Sequence, residues 1–187
     1  FTRDGISRTS SLYYRQTEPF LRNEGDYRVR AIGLGTNFSI PITEFQRITL
    51  GGTFENNRIT TYDNSPLLYE RFVKDFGDSA NALIGNIGWR NDTRDSALAP
   101  TRGSYTSLSA DIATMDLQYY LFSGNQQYYL PLGKSYTLAF NGLADYGRSY
   151  GSKPYPVIKN VYAGGIGTVR GYDGASLGPR DPRTGDY

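Results

Sequence analysis

Cysteine and histidine are both absent from this 187-residue chain, and methionine and tryptophan occur once each. Without cysteine there is no disulfide and no thiolate to hold a metal. Without histidine there is no imidazole to ligate a metal or to shuttle a proton near neutral pH. The commonest hydrolase and metalloenzyme constellations are thereby removed, and neither a cofactor nor an enzymatic activity is expected. An excess of one charge is also missing: 20 basic residues stand against 18 acidic ones, a formal charge of +2. The charges are spread along the chain with no basic block to follow a phosphate backbone, so nucleic acid is not expected as a partner. No run of about 18 apolar residues could cross a bilayer as a helix. The opening "FTRDGISRTS" has neither an apolar stretch nor a small-residue cleavage site. Two classes remain, a soluble fold or a protein that crosses a membrane as strands.

What is present is a period of two. From Val29 to Ile42 the even positions read Ile32, Leu34, Thr36, Phe38, Ile40 and Ile42, and the odd ones Ala31, Gly33, Gly35, Asn37, Ser39 and Pro41. One face is bulky and apolar, the other small or polar. The same alternation sets Ile48, Leu50 and Phe54 against Thr49, Thr53 and Glu55. It sets Leu108, Ala110 and Ile112 against Ser107, Ser109 and Asp111, and Leu138, Phe140, Ala144 and Tyr146 against Asn141 and Asp145. Alternation alone also suits a soluble sandwich. These segments, however, run to about a dozen residues, near the length of a tilted membrane strand and about twice the usual soluble one. Trp89 and many tyrosines, among them Tyr13, Tyr14, Tyr105, Tyr119, Tyr146 and Tyr150, gather toward segment ends, as rings at a bilayer interface do.

The pattern predicts seven strands, at 6–17, 28–42, 46–62, 80–92, 103–114, 118–132 and 134–149. The first and sixth are the weakest, because Arg8 and Ser10 dilute one, and Gly124 and Gln126 fall on the apolar face of the other. Short and long connections alternate, apart from a short link at 115–117, which is the mark of an all-β, up-and-down antiparallel transmembrane barrel. Seven strands cannot close such a barrel, since single-chain bacterial barrels use even numbers from eight and an open edge would leave backbone unpaired in lipid. The chain is therefore expected to be part of a larger barrel, and the abrupt start at Phe1 agrees with that expectation.

Two connections carry further signals. In "SPLLYERFVKDFG", Ser65 suits a helix cap, Pro66 a first helical position and Gly77 a helix end, so a short helix is expected over 65–77. Leu68, Phe72 and Phe76 would form its apolar stripe, laid on the barrel rim. In "WRNDTRDSALAPTRGSY", Asp92, Arg94, Asp95 and Arg102 crowd one turn, which reads as a solvated charge cluster. A paired-carboxylate catalytic site on Asp92 and Asp95 has no burial argument to support it.

After Tyr150 the chain continues for nearly forty residues with eight glycines and four prolines, too long for an ordinary connector. Within it, "GGIGTVRGYDGASLGPRD" holds Arg170 among glycines. A guanidinium is permanently charged and suited to bidentate carboxylate pairing, and Glu55, Asp111 and Asp145 face the polar side by phase. The plain alternative is an exposed arginine on a mobile loop.

"NVYAGGIGTVRGYDGASLGP" and "WRNDTRDSALAPTRGSY" together resemble the outer-membrane barrel-assembly insertases, the BamA family, over the whole chain. The resemblance implies one outer-membrane barrel domain over 1–187, corresponding to strands five to eleven of sixteen. Residues 150–187 would then be the sixth extracellular loop, with Val169, Arg170, Gly171 and Tyr172 at its tip, folded into the lumen. It further implies the bacterial outer membrane as the location, with outer-membrane lipids and nascent β-barrel proteins as partners. Assembly-complex lipoproteins would bind through regions outside this segment, as would the acidic residues that receive the arginine. Translocation-assembly proteins and two-partner secretion pores share V-R-G-Y and stay open as alternatives, with a passive porin as a further one. The "DTRD…PTRG" turn and the "YAGG" lead-in favour the insertases.

Overall fold

The computed structural model describes residues 5–18, 27–133, 135–165, 167–174 and 176–177. Seven antiparallel strands lie in sequence order in one sheet. They are β1 (Ser7–Thr17), β2 (Tyr27–Pro41), β3 (Gln46–Thr61), β4 (Ser79–Asp92), β5 (Gly103–Met115), β6 (Tyr119–Pro131) and β7 (Thr137–Ser149). The expected boundaries hold to within one residue everywhere except the start of β7, which begins three residues later at Thr137. There Leu132 N–H donates to the Tyr136 carbonyl at 2.9 Å, so Tyr136 closes the turn. Most of the connection between β1 and β2, and the chain beyond Leu177, lie outside the described residues.

Register fixes the phase. Leu12 stands opposite Leu34, Leu34 opposite Phe54, and Phe54 opposite Leu83, while Ile48 faces Trp89 and Trp89 faces Leu108. The row continues through Ala110–Phe122 and Phe122–Tyr146. All of these belong to one face, and Ile32, Leu34, Phe38, Leu138 and Phe140 on it are exposed. The opposite face carries Ala31, Gly33 and Gly35, all buried, with Asn37, Ser39, Asn141 and Asp145. Because side chains alternate strictly, a slip of one residue would exchange the two faces everywhere at once.

The two weak strands are full strands, and their polar groups on the outward face explain themselves. The Ser10 hydroxyl bonds the Thr36 hydroxyl across β1 and β2 at 2.7 Å. Thr106 Oγ1 donates to Gln126 Oε1 at 2.7 Å, and Gln126 Nε2 donates to the Gln127 carbonyl at 3.0 Å. A polar group turned toward hydrocarbon is tolerable when its hydrogen bonds are made within the sheet.

The helix α1 (Leu67–Phe76) forms between β3 and β4 as expected, with two corrections. Pro66 occupies the cap position and Ser65 does not cap the helix: its Oγ accepts from the Tyr62 N–H at 2.8 Å and closes the turn before it. Leu68 is exposed; the packed stripe is Tyr69, Phe72, Val73 and Phe76. Spacing of 3, 1 and 3 residues puts those four on one face, whereas the i, i+4, i+8 stripe drifts around the helix. Gly77, at φ +84, ends it by donating its N–H to the Val73 carbonyl at 2.9 Å. Phe72 and Phe76 stack at 4.6 Å and bury against Ile59, Ala80, Ala82, Ala113, Leu117 and Tyr119, inward residues at the mouth of the sheet's concave side together with the β5–β6 link. Small alanines on β4 and β5 leave the room that the two rings fill.

At the opposite end, the β4–β5 turn is not simply a solvated cluster. Arg94 grips Asp92 with Nε and Nη2 at 2.8 Å each, donates from Nη1 to Gln127 Oε1 at 3.1 Å, and lies over the Tyr105 ring at 4.6 Å. Its side chain is only 14% exposed. Asp95 makes no ion pair among the described residues; it accepts from the Thr101 hydroxyl at 2.5 Å and from the N–H groups of Thr101 and Arg102. Arg102 serves this turn through its backbone, its carbonyl accepting from the Asp95 N–H at 3.2 Å.

Two outcomes follow from these contacts. Phe72→Ala should destabilise the α1 cap locally by about 3–5 kcal/mol, so that hydrogen exchange accelerates across 67–77 while β3–β5 amides stay protected. Loss of strand protection in that variant would make the cap part of the sheet's own core. Asp95 is held down to about 2, first by the Thr101 hydroxyl and then by the backbone donors. A depressed carboxylate stabilises the turn above its unfolded value of about 3.9, and that contribution is lost as pH falls toward the folded value. The Thr101 amide resonance should therefore titrate with a midpoint near 2; a midpoint near about 4 would mean the Asp95 cap is not formed.

Candidate functional site

The candidate site begins with one carboxylate on the concave face. Glu55 sits on β3 in the inward phase and is 3% exposed. A buried carboxylate must have its oxygens satisfied, and here three side chains do so. Oε2 accepts from the Tyr13 hydroxyl at 2.5 Å, and Oε1 accepts from Asn57 Nδ2 and from Lys159 Nζ, both at 2.8 Å. Tyr13 comes from β1, two strands away. It stands opposite Gly33 on β2, which stands opposite Glu55, so the phenol lies across Gly33 to reach the acid. A β-carbon on Gly33 would lie 2.3 Å from the Tyr13 ring, so any larger residue closes that path.

Lys159 belongs to the segment after β7, whose beginning is folded against the same face. Tyr155 packs edge-on against Tyr119 at 5.6 Å and lies over Gly147 of β7, where a β-carbon would come within 2.5 Å of its hydroxyl. That hydroxyl donates to the Lys159 carbonyl at 3.0 Å. The 3-10 turn Val157–Lys159 buries Val157 in the cluster with Phe72 and Phe76, and it aims the lysine at Glu55. Burial pushes the Tyr155 phenol up, and the charges of Asp111 and Asp145 push it further. Asp111 also lies within electrostatic reach of Lys159. The three inward carboxylates thus surround the root of this segment.

Beyond the root the chain forms a closed loop. Ala163 and Leu177 pair as an antiparallel bridge, Leu177 N–H donating to the Ala163 carbonyl at 2.9 Å. Gly165 N–H donates to the Tyr172 carbonyl at 3.0 Å, and the Thr168 hydroxyl both accepts from Gly164 N–H at 2.8 Å and donates to the Gly164 carbonyl at 2.9 Å. Val169, Arg170 and Gly171 therefore sit at the tip of a loop that fixes itself. Gly171 turns the backbone at φ +90, which a side chain would disfavour. Val169, Arg170 and Tyr172 are exposed.

Of the residues singled out in the sequence, Glu55, Asp111 and Asp145 lie on the inward face within electrostatic reach of Tyr119 or Tyr155, and Asp92, Arg94, Asp95 and Arg102 stay in the distant turn. The structure does not bring Arg170 to Glu55: that carboxylate is taken by Lys159, and among the described residues no ion pair joins Arg170 to any of the three acids. Lys159 and Asn57 are contributors that the pattern does not single out, and Tyr13, grouped by sequence with rings at the bilayer interface, instead turns inward to Glu55. Tyr13 and Glu55 share the inward phase and a glycine lies between them, a signal that register would have exposed. Lys159 carries no periodic signal at all.

The match to the Omp85 superfamily domain runs over residues 1–187. The outer membrane protein assembly factor BamA of Neisseria meningitidis is 35% identical over 193 aligned positions, which take in 96% of this chain and 24% of that protein. The BamA of Nitratidesulfovibrio vulgaris is 24% identical over 86% of this chain and 20% of its own length. This chain thus spans about a quarter or less of these relatives. In fold it superposes on a crystal structure of BamA from Haemophilus ducreyi lacking POTRA domains 1–3, with TM-score 0.87 and 24% identity, covering 96% of this chain and 37% of that one. An up-and-down sheet with one face for lipid, matched from end to end by one family, shows that the chain belongs to the Omp85 superfamily of the bacterial outer membrane.

Proposed function

We propose that this segment is the wall and locking loop of an outer-membrane insertase, which folds and inserts β-barrel proteins. The relatives' shared designation as assembly factors supports the reading. The observation that carries it is the division of labour after β7: Lys159 fastens the root to Glu55, and the closed tip leaves Arg170 exposed and without an ion pair among the described residues. An arginine presented on a preformed tip is poised for a bidentate acidic partner. In this reading the partner lies on strands outside this chain, and residues 150–187 are the long outer loop of one barrel domain. The clients are nascent outer-membrane β-barrel proteins, and accessory lipoproteins bind elsewhere in the complete protein.

The mechanism needs no covalent chemistry and no cofactor. Edge strands of the complete barrel pair with a client strand, while this portion supplies a wall whose chamber is filled by its own side chains. Docking at two points, root and tip, keeps the loop in one position through the cycle.

The test uses the complete protein. Lys159→Met leaves Glu55 buried without its cation, a loss of the kind that costs about 3–5 kcal/mol. Exchange of 155–162 should therefore accelerate and client assembly should fall. The exchanged pair Glu55→Lys with Lys159→Glu should recover part of both. Arg170→Ala should lower assembly while leaving the root protected, and Arg170→Lys should fall between, because it keeps charge and loses the planar fork. Unchanged assembly in Arg170→Ala would contradict the locking role. A wide, steady conductance in the wild type would instead favour a passive pore.

A further inference from the structure

The outward face of β1–β3 carries a row of polar side chains at the end that bears α1. Gln16, Arg30 and Arg58 stand directly opposite one another on three adjacent strands. The next row toward the middle holds Tyr14 on β1, Ile32 on β2 and Asn56 on β3, the amide of Asn56 donating sideways to Asn81 at 2.8 Å. Two residues along a strand are roughly 7 Å, so Arg30 stands one step above the apolar belt at Ile32 and Arg58 two steps above it at Phe54, which places the pair at headgroup depth.

Directly opposed like charges destabilise a strand pair, yet Arg30 faces Arg58 and neither is joined to a carboxylate among the described residues. The neighbouring groups orient one of them. The Tyr14 hydroxyl donates to Gln16 Oε1 at 3.0 Å, and Arg30 Nε donates to the same oxygen at 3.1 Å. Gln16 Nε2 donates to Glu18 Oε1 at 2.9 Å, and that carboxylate pairs with Arg28. Glu18 is thereby committed to Arg28. Among the described residues Arg30 is tethered through Nε alone, so its paired Nη groups keep the donors that bind an anion side by side.

From this row we infer that Arg30 and Arg58 form a binding site for the phosphate of a lipid headgroup in the outer leaflet. A phosphate between the two guanidiniums converts their repulsion into two charge-assisted contacts, and the acyl chains would lie on the apolar face below. The end is the outer one because the long connections of such barrels face outward. The inference rests on the outer-membrane placement and is independent of the insertase reading.

The test measures retention of bisphosphorylated lipid A by the complete protein in lipid nanodiscs, using native mass spectrometry. The same lipid stripped of phosphate and inorganic phosphate serve as the other probes. Each basic side chain near an anionic surface is worth about a factor of five in binding. Arg30→Gln and Arg58→Gln should each weaken retention by that factor, and the pair by about twenty-five-fold. Arg30→Lys with Arg58→Lys, which keeps the charge and guards against a folding defect, should fall between. Arg8 also faces outward but at the opposite rim, over Phe38, so Arg8→Gln should leave retention unchanged. Equal retention of the phosphate-free lipid, or an unaltered double variant, would overturn the assignment. So would an equal loss in Arg8→Gln, as unspecific charge attraction, or full displacement by inorganic phosphate, as a free-anion site.

Discussion

A carboxylate at 3% exposure on the inner wall of an open sheet is the constraint from which the rest of the chamber follows. Glu55 could not remain charged there without donors, and no neighbour on its own strand except Asn57 can reach it. The remaining donors are drawn from far away in sequence. Tyr13 crosses a glycine from β1, and Lys159 arrives from beyond β7, 104 positions along the chain. Each donor brings its element with it: β1 is tied to β3 across β2, and the segment after β7 is tied to the centre of the sheet. The apolar contacts of Val157, Phe72, Phe76 and Tyr119 then exclude water from the same end.

Both faces of the sheet obey one rule under opposite conditions. Toward lipid, bulky side chains form the belt, and the few polar groups bond one another sideways, as Ser10 does with Thr36. Toward the chamber, small residues prevail because tyrosine rings and a returning chain need the space. Gly33 and Gly147 are small for this reason, each lying beneath a ring. The fold thus spends its side-chain volume on crossing elements at the mouth, with α1 and the root of the post-β7 segment sharing one apolar cluster.

The outward belt was legible in the sequence because a membrane strand writes its environment with a period of two, and Ile32, Leu34, Phe38, Leu138 and Phe140 follow it without exception. The helix was legible from Pro66, Gly77 and its phenylalanines, but the role of Ser65 was not: its hydroxyl is as well placed to close the preceding turn as to cap the helix. The turn charges were legible as a cluster and not as a structure. Arg94 faces inward because Asp92 ends β4 in the inward phase, a fact that depends on register. The Lys159–Glu55 contact was illegible, since a lysine in an aperiodic segment gives no sign of its partner. The arginine of V-R-G-Y attracted attention through its glycines, while the cation that reaches Glu55 lies eleven positions before it.

The most direct test of the account is the Lys159–Glu55 contact itself in the membrane. Complete protein carrying 15N at lysine Nζ and 13C at glutamate Cδ, reconstituted in lipid, allows dipolar recoupling by solid-state NMR between the two sites, with Glu55→Gln as the assignment control. Strong dephasing consistent with the 2.8 Å ion pair is expected in the wild-type protein and lost in the control. Absence of that dephasing in the wild-type protein would contradict the account, because the root of the post-β7 segment would then not be fastened to the wall.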